Sequence, residues 1–257
     1  MNQFKENEKM FFGSSNMNIS PEIVEEKIEE MSETLLIYRS AIKEVKTKLD
    51  ILDDELKIRR KRNPIEYMKS RVKTPGSIMG KLQRRGLEMS IESAKQNLND
   101  IAGIRVICSF VGDIYDISKM LTRQDDIRLI EEKDYIKNPK ANGYRSLHLV
   151  VEVPIFFSDH EELVRVEVQI RTIAMDFWAS LEHKMYYKFE GNSPEHIRRE
   201  LKECADIVSF LDRKMLSINE EIQTYKEEQE IYEIDVVEEI FEETVYSYNY
   251  IDVNETP

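Results

Sequence analysis

Only two cysteines occur in 257 residues, which excludes a disulfide framework. Cys108 falls in a strand pattern and Cys204 in a helix pattern, without metal-ligand spacing, so both read as buried thiols of a reducing cytosol. No apolar run approaches the roughly 18 to 20 residues that cross a bilayer. Met1 to Asn16 is charged and lacks the apolar stretch of a secretory signal. There is no Gly-x-x-x-x-Gly-Lys-Ser/Thr loop, so a nucleotide would be held without a P-loop. His183, in Leu181-Glu182-His183-Lys184, lacks the second histidine of a zinc helix. With 34% charged residues and a mean hydropathy of -0.52, a soluble cytoplasmic chain with no membrane partner is the expectation.

Cationic charge is scarce overall, with a net charge of -13, yet it is concentrated. Between residues 57 and 85, Lys57, Arg59, Arg60, Lys61, Arg62, Lys69, Arg71, Lys73, Lys81, Arg84 and Arg85 face a lone acid, Glu66. After Asn219 the pattern inverts, and Lys226 is the only cation among many Glu and Asp. A basic block inside an acidic protein implies a local anionic partner.

The fold expected is α/β (α+β): a mixed sheet of about five strands, flanked by helices, with long N- and C-terminal helices. Residues 1–19 read as a disordered arm, 20–219 as the domain with its flanking helices, and 220–257 as an acidic tail. Ser20-Pro21 has the form of a helix start. Val24, Ile28, Met31, Leu35, Tyr38, Ile42, Val45, Leu49, Leu52 and Leu56 then alternate at threes and fours. That seam suits a helix packed on its own domain and a subunit contact equally. Thr74-Pro75-Gly76-Ser77 is a turn feeding a helix near Ser77. Strands are expected over Ile65–Lys73, Ile104–Phe110, Ile127–Glu132, Tyr144–Val153 and Val164–Arg171. Helices are expected over Glu92–Leu98, Ile114–Thr122, Ala174–Phe189 and Pro194 to about Glu227. From Ile231 onward the tail suits disorder or an added docking element.

Val164-Arg165-Val166-Glu167-Val168-Gln169-Ile170-Arg171 alternates strictly, so Arg165, Glu167, Gln169 and Arg171 share the polar face of one strand. Asp100 stands just before a strand, with Gly103 allowing close approach to the backbone. Two such carboxylates can hold Mg²⁺, which keeps waters and phosphates in its other positions. By local sequence alone Asp100 also fits a turn residue, and Glu167 a cross-strand ion pair with Arg105 or Arg171. Arg71 and Lys73 on one strand face, with Lys81, Arg84 and Arg85 on the next helix, suit a polyphosphate. Taken singly, they also fit a solvated basic face. Tyr144, Ser146 and His148 fall on one strand face, where Tyr144 would offer a base a stacking surface. A histidine there fits a structural role as well.

Five motifs in order carry a resemblance. They are Arg71-Val72-Lys73, Asp100-Ile101-Ala102-Gly103-Ile104-Arg105, Gly143-Tyr144-Arg145-Ser146-Leu147-His148, Val166-Glu167-Val168-Gln169-Ile170-Arg171-Thr172, and Ala174-Met175-Asp176-Phe177-Trp178-Ala179-Ser180-Leu181-Glu182-His183. Over roughly residues 35–215 the chain resembles the RelA/SpoT synthetase domain, a nucleotidyltransferase-like fold, and within it the stand-alone small alarmone synthetases of the RelQ and RelP type. The resemblance implies a GTP pyrophosphokinase that moves the β,γ-diphosphate of ATP to the 3′-hydroxyl of GDP or GTP, giving ppGpp or pppGpp and AMP. It implies that Arg71, Lys73, Lys81 and Arg84 hold ATP, the two arginines against adenine, and that Arg105 touches the transferred phosphates. Asp100 and Glu167 would bind Mg²⁺, with Glu167 also orienting or deprotonating the 3′-hydroxyl. Tyr144 would stack on guanine, and Lys140, His148, Gln169 and Asp176 would line the acceptor side.

The same resemblance implies a homotetramer that requires neither nucleic acid nor ribosome. Asp159-His160 is the reverse of the family's hydrolase His-Asp pair, so synthesis without hydrolysis is expected. The RelQ-type pattern has asparagine at the place of Asp176 and arginine at that of Lys133. Lys46 matches a lysine of the regulatory cleft, whereas Asp50 replaces a second lysine and Lys69 a threonine. Little activation by pppGpp is therefore expected. A regulatory RNA- or nucleotide-binding protein of the same fold is the alternative, and the carboxylate pair argues against it.

Overall fold

The computed structural model describes residues 21–60, 63–188 and 194–251. The expected arm at 1–19, the Ser20 cap and residues 252–257 of the expected tail lie outside the described residues. Helix α1 (Pro21–Arg60) leads into β1 (Ile65–Val72), α2 (Pro75–Arg84), α3 (Ile91–Asn97), β2 (Ala102–Cys108), α4 (Val111–Thr122) and β3 (Arg128–Asp134). Strands β4 (Leu147–Phe156) and β5 (Glu161–Thr172) follow, then α5 (Ile173–Lys188) and α6 (Glu195–Ile251).

The five strands form one sheet in the order β1-β2-β5-β4-β3. Only β2 and β5 run parallel; every other neighbouring pair is antiparallel. The mixed five-stranded sheet with long terminal helices is thus the fold the sequence pointed to.

The seam of α1 has its partner inside the domain. Met31, Tyr38, Ile42, Val45, Leu49, Leu52 and Leu56 are buried in one core with the strand residues Ile104, Val106, Leu149, Val151, Val166 and Val168. Each such aliphatic side chain contributes about 1.5–3 kcal/mol by leaving water, so this stripe fixes the helix to the sheet. The apolar side chains that α1 leaves exposed, among them Leu36, Ile51 and Ile58, lie off that seam.

Several boundaries differ from expectation, two of them for identifiable reasons. Helix α2 begins at Pro75, two residues early, because Thr74 is the N-cap and accepts the amide of Ser77 at 3.3 Å. Strand β4 begins at Leu147 rather than Tyr144. Tyr144 and Ser146 precede the ladder, and Ser146 is fully buried, its hydroxyl donating to the carbonyl of Ile170 at 3.2 Å. Helix α6 runs past Glu227 to Ile251, so residues read as an acidic tail are helical. Cys204 is exposed on α6, contrary to the buried thiol expected; Cys108 is buried.

The chain forms two compact units, one ending at Phe210 and the other beginning at Leu211. In the first, a small apolar cluster of Trp178, Ala179 and Ala205 packs with Tyr144, Leu201 and Val208. Trp178 Nε1 donates to the carbonyl of Leu201 at 2.8 Å, which ties α5 to the start of α6. In the second, the described side chains are almost all exposed.

Candidate active site

Strand register assembles the site in two rows across the sheet. Lys69, Arg105, Gln169, His148 and Lys133 stand opposite one another from β1 to β3. The neighbouring row runs Arg71, Gly103, Glu167, Val150 and Glu131. Residues two apart on a strand share a face, so both rows project from one side of the sheet.

Two adjoining cavities open on that side. One, of roughly 220 Å³, is lined by Lys69, Ser70, Arg71, Asp100, Gly103, Ile104, Arg105, Glu167 and Gln169. The other, of roughly 250 Å³, is lined by residues including Lys81, Arg85, Asn99, Asp100, Lys133, Tyr135, Lys140, His148 and Glu167. Asp100 and Glu167 belong to both, so they form the shared wall. The absence of a side chain at Gly103 leaves the first cavity open between Arg71 and Glu167.

Asp100 lies just before β2, in a turn that also receives Lys73. The Nζ atoms of Lys73 and Lys81 both donate to Asp100 Oδ2 at 2.6 Å, and Lys73 also reaches the Asp100 carbonyl at 3.0 Å. Burial pushes this carboxyl up, but the two ammonium groups outweigh it and hold it below the usual carboxylate range. Its other oxygen, Oδ1, is buried and has no hydrogen-bond partner. Glu167 is likewise pushed up by burial, and its contacts with His148 and Gln169 outweigh that and hold it low. Both groups are therefore ionised at neutral pH. Two carboxylates with a free oxygen suit a hard cation whose remaining ligands are phosphate oxygens and water, so the donor set fits Mg²⁺.

The acceptor-side residues form a connected network. His148 Nδ1 lies 3.4 Å from Glu167 Oε1, and its Nε2 meets the Tyr144 hydroxyl at 2.7 Å. Gln169 Nε2 donates to Glu167 Oε2 at 3.0 Å. The Lys140 ammonium sits 4.6 Å from the Tyr135 ring centre and 4.7 Å from that of Tyr144. These are cation–π distances.

Of the residues singled out from sequence, Asp100, Glu167, Arg71, Arg105, Gln169, Lys81, Lys140 and His148 line the cavities. Lys73 acts through Asp100. Arg84 is exposed on α2 and outside both linings. Tyr144 also stands outside them, its ring packed against Lys140 and against Arg171, whose guanidinium carbon lies 5.0 Å from the ring centre. Asp176 is buried among arginines and not in a cavity wall: its Oδ1 is 3.2 Å from both Arg105 Nη1 and Arg171 Nη1. Glu167 pairs with His148 and Gln169, neither of them a cross-strand arginine.

Sequence reasoning missed Lys69 and Tyr135 as cavity residues. Lys69 shares a strand face with Arg71, a signal that alternation carries. Tyr135 follows the end of β3, where no periodicity marks it. Lys46, read as part of a regulatory cleft, pairs with Asp50 one turn along α1 at 3.5 Å.

Comparison with known proteins places this sheet, with its two-lobed, cation-lined cleft divided by a carboxylate pair, in a synthetase-type domain. Residues 70–192 match the region found in RelA / SpoT proteins. The chain is 48% identical to GTP pyrophosphokinase YwaC of Bacillus subtilis over 195 residues, covering 76% of this chain and 93% of that protein. It is 40% identical to GTP pyrophosphokinase YjbM of the same organism over 190 residues, covering 74% and 88%. The crystal structure of small alarmone synthetase 2 from Bacillus subtilis superposes with a TM-score of 0.68 at 47% identity, covering 75% of this chain and 99% of that one. Small alarmone synthetase 1 of the same species, bound to its product pppGpp, gives 0.70 at 37% identity, covering 76% and 98%. The chain belongs to the RelA/SpoT family of GTP pyrophosphokinases.

Proposed function

We propose that the protein is a small alarmone synthetase that transfers the β,γ-diphosphate of ATP to the 3′-hydroxyl of GDP or GTP. The observation that carries this reading is the shared wall: Asp100 and Glu167 stand between two cavities, each with its own cations. ATP takes the lobe of Lys69, Arg71 and Arg105, and the guanine nucleotide takes the lobe of Lys140, His148 and Tyr135. The 3′-oxygen attacks the β-phosphorus, the bond from that phosphorus to the α–β bridging oxygen breaks, and AMP leaves with that oxygen. Glu167 orients the hydroxyl and accepts its proton, while His148 and Gln169 hold the carboxylate in place. Such transfers depend on alignment and on cations where charge accumulates, more than on covalent help. Mg²⁺ would be held by Asp100 and Glu167, where it neutralises charge on the phosphate oxygens. The reaction belongs to the cytoplasm, where both substrates are held.

Incubation with labelled ATP, Mg²⁺ and each guanine nucleotide should yield the 3′-diphosphate and AMP, and neither product forming would overturn the reading. Glu167→Gln should lower the rate about 10²- to 10⁴-fold with the fold intact. A variant turning over within a few-fold of the parent would remove Glu167 from its role.

Assembly into a homotetramer is part of the proposal. On α6, Leu211, Met215, Ile218, Ile222 and Tyr225 recur at alternating fours and threes and are all exposed. A solvent-facing seam of that period is what a second helix covers. Sedimentation at micromolar protein would show a single monomeric species if assembly were wrong.

A further inference from the structure

Arg171, near the end of β5, is 4% exposed and lines neither cavity. Its guanidinium nevertheless touches four side chains. Nη1 donates to Asp176 Oδ1 at 3.2 Å, and Nη2 donates to Gln169 Oε1 at 2.9 Å and to the Tyr144 hydroxyl. Nε is 3.4 Å from Ser146 Oγ. Gln169 and Tyr144 continue to Glu167 and to His148, and those two meet each other. Arg171, Gln169, Glu167, His148 and Tyr144 therefore close a ring of five side chains.

Chemistry fixes the direction of each bond in the ring. Arginine only donates, so the Gln169 carbonyl and the Tyr144 oxygen face it. The Gln169 amide is then left to donate to Glu167. The ionised Glu167 carboxylate only accepts, so the Nδ1 facing it carries the proton, and in that tautomer Nε2 accepts from the Tyr144 hydroxyl. The Gln169 arm thus ends as a donor on Glu167 Oε2, and the His148 arm ends with Nδ1 3.4 Å from Oε1 of the same carboxylate. Asp176 anchors the arrangement from behind: it is buried, it also accepts from the Tyr67 hydroxyl at 3.1 Å, and its charge offsets both Arg171 and Arg105.

We propose that Arg171, anchored by Asp176, is a positioning residue that sets the acceptor side of the site by holding Tyr144 and Gln169. This rests on the placement of the guanine nucleotide given above. Arg171 touches no substrate; it fixes the tyrosine, the histidine tautomer and the orientation of Glu167. Lysine cannot substitute, because one ammonium lacks the planar fork that reaches Asp176, Gln169 and Tyr144 together.

The test compares Arg171→Lys, Asp176→Asn and Tyr144→Phe with the parent, measuring GDP and ATP binding separately by titration calorimetry, together with both KM values and the melting temperature. Arg171→Lys should weaken GDP binding and raise the GDP KM roughly tenfold, the size carried by a lost hydrogen bond to a charged group. Its ATP binding should change less than about twofold. Tyr144→Phe keeps the ring but removes the hydroxyl, and should act in the same direction. A double variant carrying Arg171→Lys and Tyr144→Phe should be no worse than the more severe single one, since both break the same ring. Asp176→Asn, nearly isosteric, tests the anchor if Arg171→Lys does not fold, and should also weaken GDP more than ATP.

Equal losses for both nucleotides, following the melting temperature, would reduce Arg171 to a structural role. Unchanged GDP binding in Tyr144→Phe, or additive effects in the double variant, would also overturn the proposal. Because binding is read without turnover, a parent protein that fails to make product would sink the reaction and leave this test intact.

Discussion

Lys73 and Lys81 place their ammonium nitrogens on one and the same oxygen of Asp100, each at 2.6 Å. One comes from the end of β1 and the other from α2, so two elements converge on a single carboxylate. The paired cations keep it ionised in a partly buried position and leave Oδ1 free. They also compete with a metal ion for its charge.

Lys81→Met separates these effects. Turnover should fall about 10²-fold through loss of a fixed cation at the phosphates. The Mg²⁺ concentration giving half-maximal rate should nevertheless drop, because one competitor for Asp100 is gone. Initial rates over a Mg²⁺ series decide the matter, and a raised requirement would show that the lysine assists metal binding.

Gly103 tests the donor cavity without disturbing the fold. A Cβ built there would lie 3.9 Å from the Arg71 carbonyl and 4.0 Å from that of Glu167, which is ordinary contact. Gly103→Ala should therefore fold and even gain up to about 1 kcal/mol, as alanine does over glycine within a strand. The methyl would project into the cavity of Arg71, Arg105 and Glu167, so the ATP KM should rise severalfold with the GDP KM little changed. Equal KM values in variant and parent would place ATP elsewhere.

The strand face was legible in the sequence because alternation is a local property: Glu167, Gln169 and Arg71 follow from period two alone. The α1 seam was legible as a seam, but not what covers it, since the same stripe serves a sheet or a second helix. Asp176 is where reading residue by residue ended. The resemblance placed it among the residues lining the acceptor side, whereas the fold surrounds it with Arg105, Arg171 and Tyr67 from three different elements. No spacing rule brings those side chains together. Tyr144 shows a related limit: its motif was recognised, but Ser146 turning inward ends the ladder before it.

Gly143 positions Tyr144 and carries its own prediction. Its φ of 90° lies in the left-handed region, and a Cβ there would come within 2.6 Å of Ala205 Cβ on α6. Arg145 clamps the same approach, donating to the Ala205 carbonyl at 3.2 Å. Gly143→Ala should cost about 1–3 kcal/mol from backbone strain and overpacking combined. The readout is the denaturant midpoint, with GDP use falling more than ATP binding because Tyr144 shifts. A midpoint equal to the parent's would mean the loop moves away from α6 freely.

Alkaline stability should depend on two phenols outside the cavity linings, Tyr38 and Tyr115. Burial pushes the Tyr38 hydroxyl up to about 12, and burial together with the Asp134 carboxylate raises Tyr115 to about 12 as well. In the unfolded chain both titrate near about 10. A group whose folded pKa is raised contributes stability that is whole below the unfolded value and is lost as pH climbs toward the folded one. The melting temperature should therefore fall between about pH 10 and 12. Tyr38→Phe should flatten that fall, because phenylalanine fills the same core position beneath the sheet without an ionisable group. Tyr115→Phe should flatten it too, at the expense of the 3.1 Å bond to Asp134 and hence a lower plateau near neutrality. Phenolate absorbance followed in parallel should show Tyr38 and Tyr115 among the tyrosines that ionise only as the protein unfolds; ionisation of all tyrosines near pH 10 with the fold intact would contradict this account.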